Sequence, residues 1–277
     1  MLPPYILFDL DDTLFDHTRA SRIALAAIHT AHADDVSFDM FAHEHARVLE
    51  VYHQRFLQRE LTLDQARAAR MIELFATFEK ALDEPAALAI AALYRREHQG
   101  NRALVEGAQE LLEALQQQTQ LAIVTNNATA EQIEKLHALN IAHFFDTIVI
   151  SEDVGVTKPD KRIFEIALER LGARPTEVVM VGDSLSADIE GATNAGIASV
   201  WLNRNNKQTP AGTDVGSQKC LKSPANAGVL ISVPIEINSL VPTANAIAAI
   251  QAAFQKHSPS TLAPKDLTHA NLETLAP

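Results

Sequence analysis

Short, continuously apolar runs recur along the chain, and segments with helical periodicity separate them. The first run covers residues 5–8, and similar runs follow at 121–124, 147–150, 178–181 and, more weakly, 198–202. Such runs are typical of strands that are buried on both faces of a parallel sheet. Because these strands alternate with helices, the chain is predicted to form an α/β fold: a Rossmann-like, three-layer parallel sheet core with right-handed crossovers.

Amphipathic helices are predicted between the runs, because apolar residues there recur three or four positions apart. These helices cover residues 107–118, 130–139 and 160–171. Gly172 is a natural end for the third of them.

Residues 16–98 interrupt the alternation. This stretch has no strand-like run and is rich in Ala, Leu, Arg, Glu and His at helical spacing. It predicts several helices inserted after the first strand, which we interpret as a helical cap domain over residues 16–98. The catalytic core then consists of residues 1–15 and 99–256.

The C-terminal part is less regular. Residues 203–233 are rich in Asn, Pro, Gly and Ser and are expected to form a loop, with a short strand around residues 229–231 as an alternative. A strand at 234–238 and a helix at 243–256 are predicted to close the core. Residues 257–277 are expected to form a flexible tail.

Composition narrows the class of protein. The chain has 277 residues, of which 47% are hydrophobic, and a formal net charge of −12. The length suits a large core with a smaller inserted unit, as a monomer or homodimer. The negative charge argues against nucleic-acid polymers and anionic membranes as main partners. It does not exclude a small phosphate ester bound at a local positive site.

The cytoplasm is the expected location. The single cysteine, Cys220, cannot form an internal disulfide, which indicates a reducing compartment. No apolar run approaches the roughly 20 residues of a membrane span. Asp9 also interrupts the first apolar run, which argues against a signal peptide.

Polar residues follow four of the predicted strands. In an open parallel sheet, ligands bind outside the carboxyl ends of the strands, so these residues are expected to meet at one edge. They are, in chain order, Asp9, Asp11, Thr125, Asn126, Asn127, Lys158, Asp183 and Asp188.

This set of residues supports phosphoryl transfer. One carboxylate can attack phosphorus, and a second can protonate the leaving alcohol and later activate water. Lys158, the Thr125 hydroxyl and nearby backbone amides can bind the phosphoryl oxygens. Several aspartates in one pocket repel each other, and a hard divalent cation such as Mg²⁺ relieves that repulsion.

Four segments carry a family resemblance. The segments FDLDDTL, IVTNN, KPD and VGDSLSAD resemble, in order and spacing, the four motifs of the haloacid dehalogenase-like (HAD) phosphohydrolases. The resemblance covers about residues 5–203 and includes a cap inserted after the first motif. The stretches VISEDVGVTKPDKRIFEIAL and VGDSLSADIEGATNAGIASVWLN are most similar to the subfamily that contains bacterial pyrimidine 5′-nucleotidases.

The resemblance implies a role for each residue that handles the phosphoryl group. Asp9 would be the nucleophile, and Asp11 the general acid and base. Thr125 would hold the phosphoryl oxygens together with the backbone of Asn126. Lys158 would balance the charge between the phosphoryl group and the nucleophile.

The resemblance also implies a Mg²⁺ site. Asp183 would bind the ion together with Asp9 and the main-chain carbonyl of Asp11. Asp188 would support the site from outside the coordination sphere.

The leading hypothesis is therefore a Mg²⁺-dependent phosphomonoesterase that acts on small phosphorylated metabolites, with nucleoside 5′-monophosphates preferred. A sugar phosphate or another metabolite phosphate is the alternative substrate. A 2-haloacid dehalogenase on the same fold is disfavoured, because its chemistry needs neither a second acid at Asp11 nor a metal ligand at Asp183. A non-catalytic binding protein is disfavoured because every chemical position is filled.

The predicted cap offers further candidates. Tyr52 and Phe56 could stack on a base and Arg55 could meet phosphate or sugar, but ordinary packing is the favoured interpretation. Six histidines between His17 and His53 lack the spacing of a zinc site and are interpreted as part of a helical surface.

Overall fold

The computed structural model of the chain describes residues 1–208, 212–215, 218–222, 230–232 and 234–257. The strands are β1 (Tyr5–Phe8), β2 (Gln120–Thr125), β3 (Thr147–Ile150), β4 (Val178–Gly182), β5 (Ala198–Leu202), β6 (Gly212–Val215), β7 (Gln218–Lys222), β8 (Leu230–Ser232) and β9 (Ile235–Ile237). The helices are α1 (His17–His32), α2 (Phe38–Leu57), α3 (Leu63–Ala76), α4 (Glu84–Gly100), α5 (Ala108–Leu115), α6 (Thr129–Ala138), α7 (Ser151–Val154), α8 (Lys161–Leu171), α9 (Gly191–Asn194) and α10 (Thr243–His257).

The central sheet confirms the predicted α/β core. Six strands lie in the order β3-β2-β1-β4-β5-β9, and neighbouring strands are parallel throughout. Phe8, the last residue of β1, pairs with Ile123 of β2 and with Val181 of β4. The strand order reverses at β1, so the segments that follow β1, β2 and β4 meet at the carboxyl edge where such sheets bind ligands.

Helices cover both faces of the sheet. Ile6 and Phe8 of β1 belong to one buried cluster that also includes residues of α5 and α10. Leu7 points to the other face and packs in a cluster with Ile163 and Phe164 of α8. Since successive residues of a strand face opposite sides, burial of both sets produces the three predicted layers and explains why the strands are apolar throughout.

The insertion after β1 consists of helices α1 to α4, as the helical periodicity of residues 16–98 predicts. Thr62 and Gln65 form a reciprocal capping box at the start of α3, and Asp83 caps α4. These helices bury a cluster of their own, which includes Phe41, Met71 and Phe75. In the part of the chain that the structure describes, no helix has both the length and the apolarity needed to cross a bilayer.

The prediction of a loop over residues 203–233 is wrong for two stretches, which form β6 and β7. β6 and β7 pair in antiparallel fashion, and β7 pairs with β8. Each strand is only three to five residues long. The sequence around the strands is rich in Asn, Pro, Gly and Ser, so the pattern of such short strands is not apparent from composition. β9 and α10 confirm the predicted end of the core, whereas the tail expected from residue 258 onwards lies outside the described residues.

Candidate active site

Asp9, Lys158 and Asp188 meet at the carboxyl edge of the sheet. The backbone NH of Asp9 donates to the Val181 carbonyl at 3.0 Å, which continues the β1–β4 pairing. The Nζ of Lys158 donates to Asp9 Oδ1 and to Asp188 Oδ1, both at 2.6 Å, and to the Val124 carbonyl at 2.8 Å. All three charged side chains are buried, so a single lysine charge is shared between two carboxylates that are largely removed from bulk water.

Burial sets the electrostatics of this trio. It raises the pKa of Asp9 to about 8. The attraction of Lys158 opposes this effect but does not cancel it, and the charges of Asp188 and Asp183 add to it. Burial alone would lower the pKa of Lys158, but the carboxylates of Asp188 and Asp9 outweigh it and raise that pKa above its ordinary value. Lys158 is therefore held as a cation beside the candidate nucleophile.

A cluster of aspartates has the donor set of a metal site. Carboxylate oxygens of Asp9, Asp183 and Asp188 lie within 4.8 Å of one another. Burial, followed by repulsion from Asp188, raises the pKa of Asp183 to about 6, although Lys207 donates to its Oδ2 at 3.0 Å. Two buried acids and the half-buried Asp183, which offer only oxygen donors, fit a hard divalent cation that would relieve their repulsion.

The segment after β4 fixes the two aspartates it carries, of which Asp188 lies in a short π-helix, Leu185–Glu190. Asp188 Oδ2 accepts a hydrogen bond from the Ser184 backbone at 2.9 Å, and the indole NH of Trp201 donates to the Asp183 carbonyl at 2.8 Å. A Cβ at position 182 would collide with the Asp188 carboxylate. Gly182 is therefore required for Asp188 to pack so close to the end of β4.

Thr125 and Asn126 lie at the same edge, with partners that the sequence does not predict. The Asn126 side chain donates to the Lys158 carbonyl at 3.0 Å and accepts from the Lys158 backbone NH at 2.8 Å. It therefore joins the loop after β2 to the loop that carries the lysine. The Thr125 hydroxyl accepts a hydrogen bond from Gln132 at 2.6 Å, and its role toward a phosphoryl group stays a prediction.

Asp11 is paired with Lys135, which the sequence reading does not single out. Lys135 Nζ contacts the two Asp11 oxygens at 2.6 and 2.9 Å, and Gln132 donates to Asp11 Oδ2 at 3.1 Å. Burial would raise the pKa of Asp11, but the attraction of Lys135 reverses the effect and lowers it. The sequence does contain a signal for a buried Lys135, because this lysine directly precedes Leu136 on the side of α6 that faces the core.

Lys135→Met is expected to lower kcat by roughly 10- to 100-fold, because Asp11 loses the cation that orients it and sets its charge. Steady-state phosphate release measures this effect. Lys80→Met is the matched control, since Lys80 pairs with Asp35 at 2.8 Å and does not line the active-site cavity. Equal activity of the two variants would contradict a positioning role for Lys135.

A cavity of about 440 Å³ lies between this edge and the inserted helices. Tyr52 and Phe56 line it, as the stacking hypothesis requires, whereas Arg55 does not and instead pairs with Glu60 at 3.0 Å. The Tyr52 hydroxyl donates to Glu73 at 2.8 Å, which also gives that ring a structural role.

The histidines of the insertion do not assemble a metal site in the part of the chain that the structure describes, where the potential ligand cluster is the aspartate group. His17 and His98 approach each other at 3.3 Å within the cavity wall. Burial, reinforced by nearby positive charges, lowers the pKa of His98 to about 3, so this ring is neutral.

Comparisons with known proteins agree with this geometry. A model of the family described as haloacid dehalogenase-like hydrolase matches residues 6–202. A ribulose-1,5-bisphosphate 5-phosphatase from Halopiger xanaduensis is 34% identical over 203 residues, which are 70% of this chain and 82% of that protein. The pyrimidine 5′-nucleotidase YjjG of Escherichia coli is 43% identical over 107 residues, which are 38% of this chain and 48% of that protein.

Solved structures agree as well. The HAD-hydrolase YfnB of Bacillus subtilis, in a magnesium-bound form, matches with a TM-score of 0.70 at 26% identity, covering 90% of this chain and 100% of that one. Together with the family match over residues 6–202, this likeness confirms the resemblance drawn from the four sequence motifs. The chain belongs to the haloacid dehalogenase-like hydrolases and is an enzyme of the phosphatase type.

Proposed function

We propose that this protein is a Mg²⁺-dependent phosphomonoester hydrolase that works through a phosphorylated Asp9. The observation that carries the proposal is the buried contact of Asp9 with Lys158 at 2.6 Å, beside a second carboxylate, Asp11, that has its own cation in Lys135. A nucleophile, its counter-charge and a separate acid–base group are the parts that a two-step phosphoryl transfer needs.

In the first step, an oxygen of Asp9 attacks phosphorus and the bond from phosphorus to the ester oxygen breaks. Lys158 offsets the negative charge shared by Asp9 and the phosphoryl group, and Thr125 with the Asn126 backbone binds phosphoryl oxygens. Asp11 gives its proton to the leaving alcohol. An incoming phosphoryl group competes for Lys135 and repels the Asp11 carboxylate, and both effects favour the protonated form of Asp11 that this step uses.

In the second step, water attacks phosphorus and the bond between phosphorus and Asp9 breaks. Asp11 is now a carboxylate and accepts a proton from that water, and inorganic phosphate leaves. The contact with Lys135 favours this charged form. Lys135 therefore contacts Asp11 in both its protonated and its charged state. For this reason we place Lys135 among the residues that position the acid–base group.

Asp9, Asp183 and the Asp11 carbonyl would hold Mg²⁺, with Asp188 orienting the site through Lys158 and the Ser184 backbone. When bound, the ion supplies positive charge that lets a phosphate ester approach a pocket of aspartates. The fit rests on the closeness of the three carboxylates and on their oxygen-only donor set.

Substrates are proposed to be small phosphorylated metabolites held under the helical insertion, which would act as the cap. Nucleoside 5′-monophosphates are supported by the aromatic rings of Tyr52 and Phe56 in the cavity and by the likeness to the E. coli nucleotidase. Sugar phosphates and similar esters are supported by the likeness to the Halopiger bisphosphate phosphatase. We propose the cytoplasm as the location.

The experiment is phosphate release from a panel of nucleotides, sugar phosphates and other phosphorylated metabolites, in Mg²⁺ and in EDTA. Turnover that requires Mg²⁺ is the expected result, and the ranking of the panel names the substrate class. Halide release from a 2-haloacid in EDTA, with no ester turned over, would replace the proposal by the dehalogenase alternative.

A further inference from the structure

Arg70 lines the active-site cavity and has no carboxylate partner among the residues that the structure describes. Helix α3 presents Leu63, Ala66, Arg67 and Arg70 to the cavity, which is the spacing of one helical face. The Nε of Arg70 is buried without a hydrogen-bond partner in the described part of the chain. The groups that act on its charge are Tyr94 and Arg67, with no carboxylate among them. A largely buried cation without an anion costs folding free energy. Its presence in the cavity is therefore explained best by an anionic ligand.

The other two arginines of the cavity wall differ in this respect. Arg67 pairs with Asp64 at 3.0 Å and with Glu131 at 2.8 Å. Arg95 pairs with Glu131 at 3.1 Å and with Glu134. Their charges are already balanced by the protein, whereas the charge of Arg70 is available to a bound molecule.

The surroundings of Arg70 hold it in place. Its guanidinium carbon lies 5.1 Å from the centroid of the Tyr94 ring, a cation–π contact. The Tyr94 ring in turn stacks on the His98 ring, with the two centroids 6.1 Å apart. The planar fork therefore rests on a fixed platform, which suits the recognition of a planar carboxylate or a phosphate.

Arg70 belongs to the same cavity as the candidate nucleophile. His17 connects the two regions electrostatically: burial lowers the pKa of His17, the charge of Asp11 raises it and that of Arg70 lowers it. A cavity of about 440 Å³ has the size of sites that hold one small metabolite. One ligand can therefore reach both ends.

We propose that Arg70, on its Tyr94 platform, binds a second anionic group of the substrate, a carboxylate or a second phosphate, while the scissile phosphoryl group lies at Asp9. The inference rests on the proposed phosphomonoesterase function and narrows its substrate class to esters that carry a second anion. Nucleoside monophosphates have no such group and would be the poorer substrates.

Matched substrate pairs test the preference. Each pair differs by the second anion: ethyl phosphate against phosphoglycolate, glycerol phosphate against phosphoglycerate, and a hexose monophosphate against the bisphosphate. The wild type is expected to favour the second member by roughly 10- to 100-fold in kcat/KM, the range for a charge-assisted pair that lies out of water. The carboxylate and phosphate pairs show which anion fits.

Variants assign the preference to Arg70. Arg70→Gln is expected to remove the preference, mainly through KM, so that the two members of each pair have similar kcat/KM values, since uniform binding affects KM alone. Arg70→Lys keeps the charge but not the fork and is expected to retain part of the preference. Arg22→Gln is the matched control, because Arg22 also lies over a ring, Phe38 at 5.0 Å, but outside this cavity.

Each remaining outcome decides the question. Turnover without a preference in the wild type, or an equal loss on both members of each pair in Arg70→Gln, overturns the subsite and leaves the phosphatase standing. No turnover of any ester overturns the function instead. In that case, or if Arg70→Gln does not fold, the subsite is tested alone by ligand stabilisation against unfolding, measured for wild type and Arg70→Lys with phosphonoacetate and with ethylphosphonate. Greater stabilisation by phosphonoacetate that is reduced in Arg70→Lys supports the subsite. Equal stabilisation by the two ligands overturns it.

Discussion

Asp9→Asn is expected to lower kcat by about 10⁴-fold or more, because an amide oxygen cannot form the acyl phosphate on which both steps depend. The amide is close to the carboxylate in size and can still accept a hydrogen bond from Lys158. The fold is therefore expected to persist. Phosphate release in Mg²⁺, with circular dichroism to verify folding, measures the effect.

Asp160→Asn is the matched control for this variant. Asp160 lies two residues after Lys158, is exposed, and caps α8 by accepting a hydrogen bond from the Arg162 backbone at 2.9 Å. Asn is an equally good helix cap, so wild-type activity is expected. Comparable activity of Asp9→Asn and Asp160→Asn would remove Asp9 from the mechanism.

Lys158→Met is expected to destabilise the protein by about 3–5 kcal/mol in EDTA, because the carboxylates of Asp9 and Asp188 then face each other in a buried site without a cation. Urea unfolding measures the loss. Mg²⁺ is expected to restore part of the stability of the variant, since the ion binds to those carboxylates and favours the folded state.

Lys161→Met, at the first residue of α8, separates this effect from the loss of any lysine near Lys158. Lys161 is 61% exposed and pairs with Glu165 at 3.2 Å. Exposed pairs contribute little, so a change within about 0.5 kcal/mol is expected. Equal losses of unfolding free energy in the two lysine variants would show that the buried Asp9–Lys158–Asp188 trio contributes no more to stability than an exposed ion pair.

The core strands could be predicted from sequence because a parallel sheet covered on both faces demands uninterrupted apolar runs. Residues such as Leu7 and Phe8 are buried on opposite sides, so neither could be polar. The main site residues could be placed because the carboxyl ends of neighbouring strands converge wherever such a sheet forms. Topology alone therefore brings Asp9 and Asp183 together.

Lys135 and Arg70 could not be placed in the same way. Both lie on helices, where one residue of rotation decides between solvent and cavity, and their partners are distant in sequence. Lys135 is defined by Asp11, which is 124 residues away, and Arg70 by the packing of α3 against α4 around Tyr94. Helical periodicity cannot separate a buried cation from the polar edge of an amphipathic face.

The pairing of β6 and β7 escaped prediction for another reason. Only two residues separate β6 from β7 in sequence, and such an antiparallel pair needs only a few residues with alternating character. Thr213 and Cys220 pair across this ladder, but Asn, Pro, Gly and Ser dominate the surrounding residues. Local composition therefore indicated a loop.

The phosphoryl–Asp9 intermediate is tested most directly by rapid acid quench of turnover with a ³²P-labelled aryl phosphate in Mg²⁺, followed by peptide mapping. Asp11→Asn is the variant to use, because an aryl leaving group needs little help from an acid, whereas hydrolysis of the intermediate still needs the base. The expected result is a hydroxylamine-sensitive label on the peptide that contains Asp9, with one equivalent of phenol released in a burst. Label on another residue, or release of phenol and phosphate by an Asp9→Asn enzyme at the wild-type rate, would contradict the mechanism.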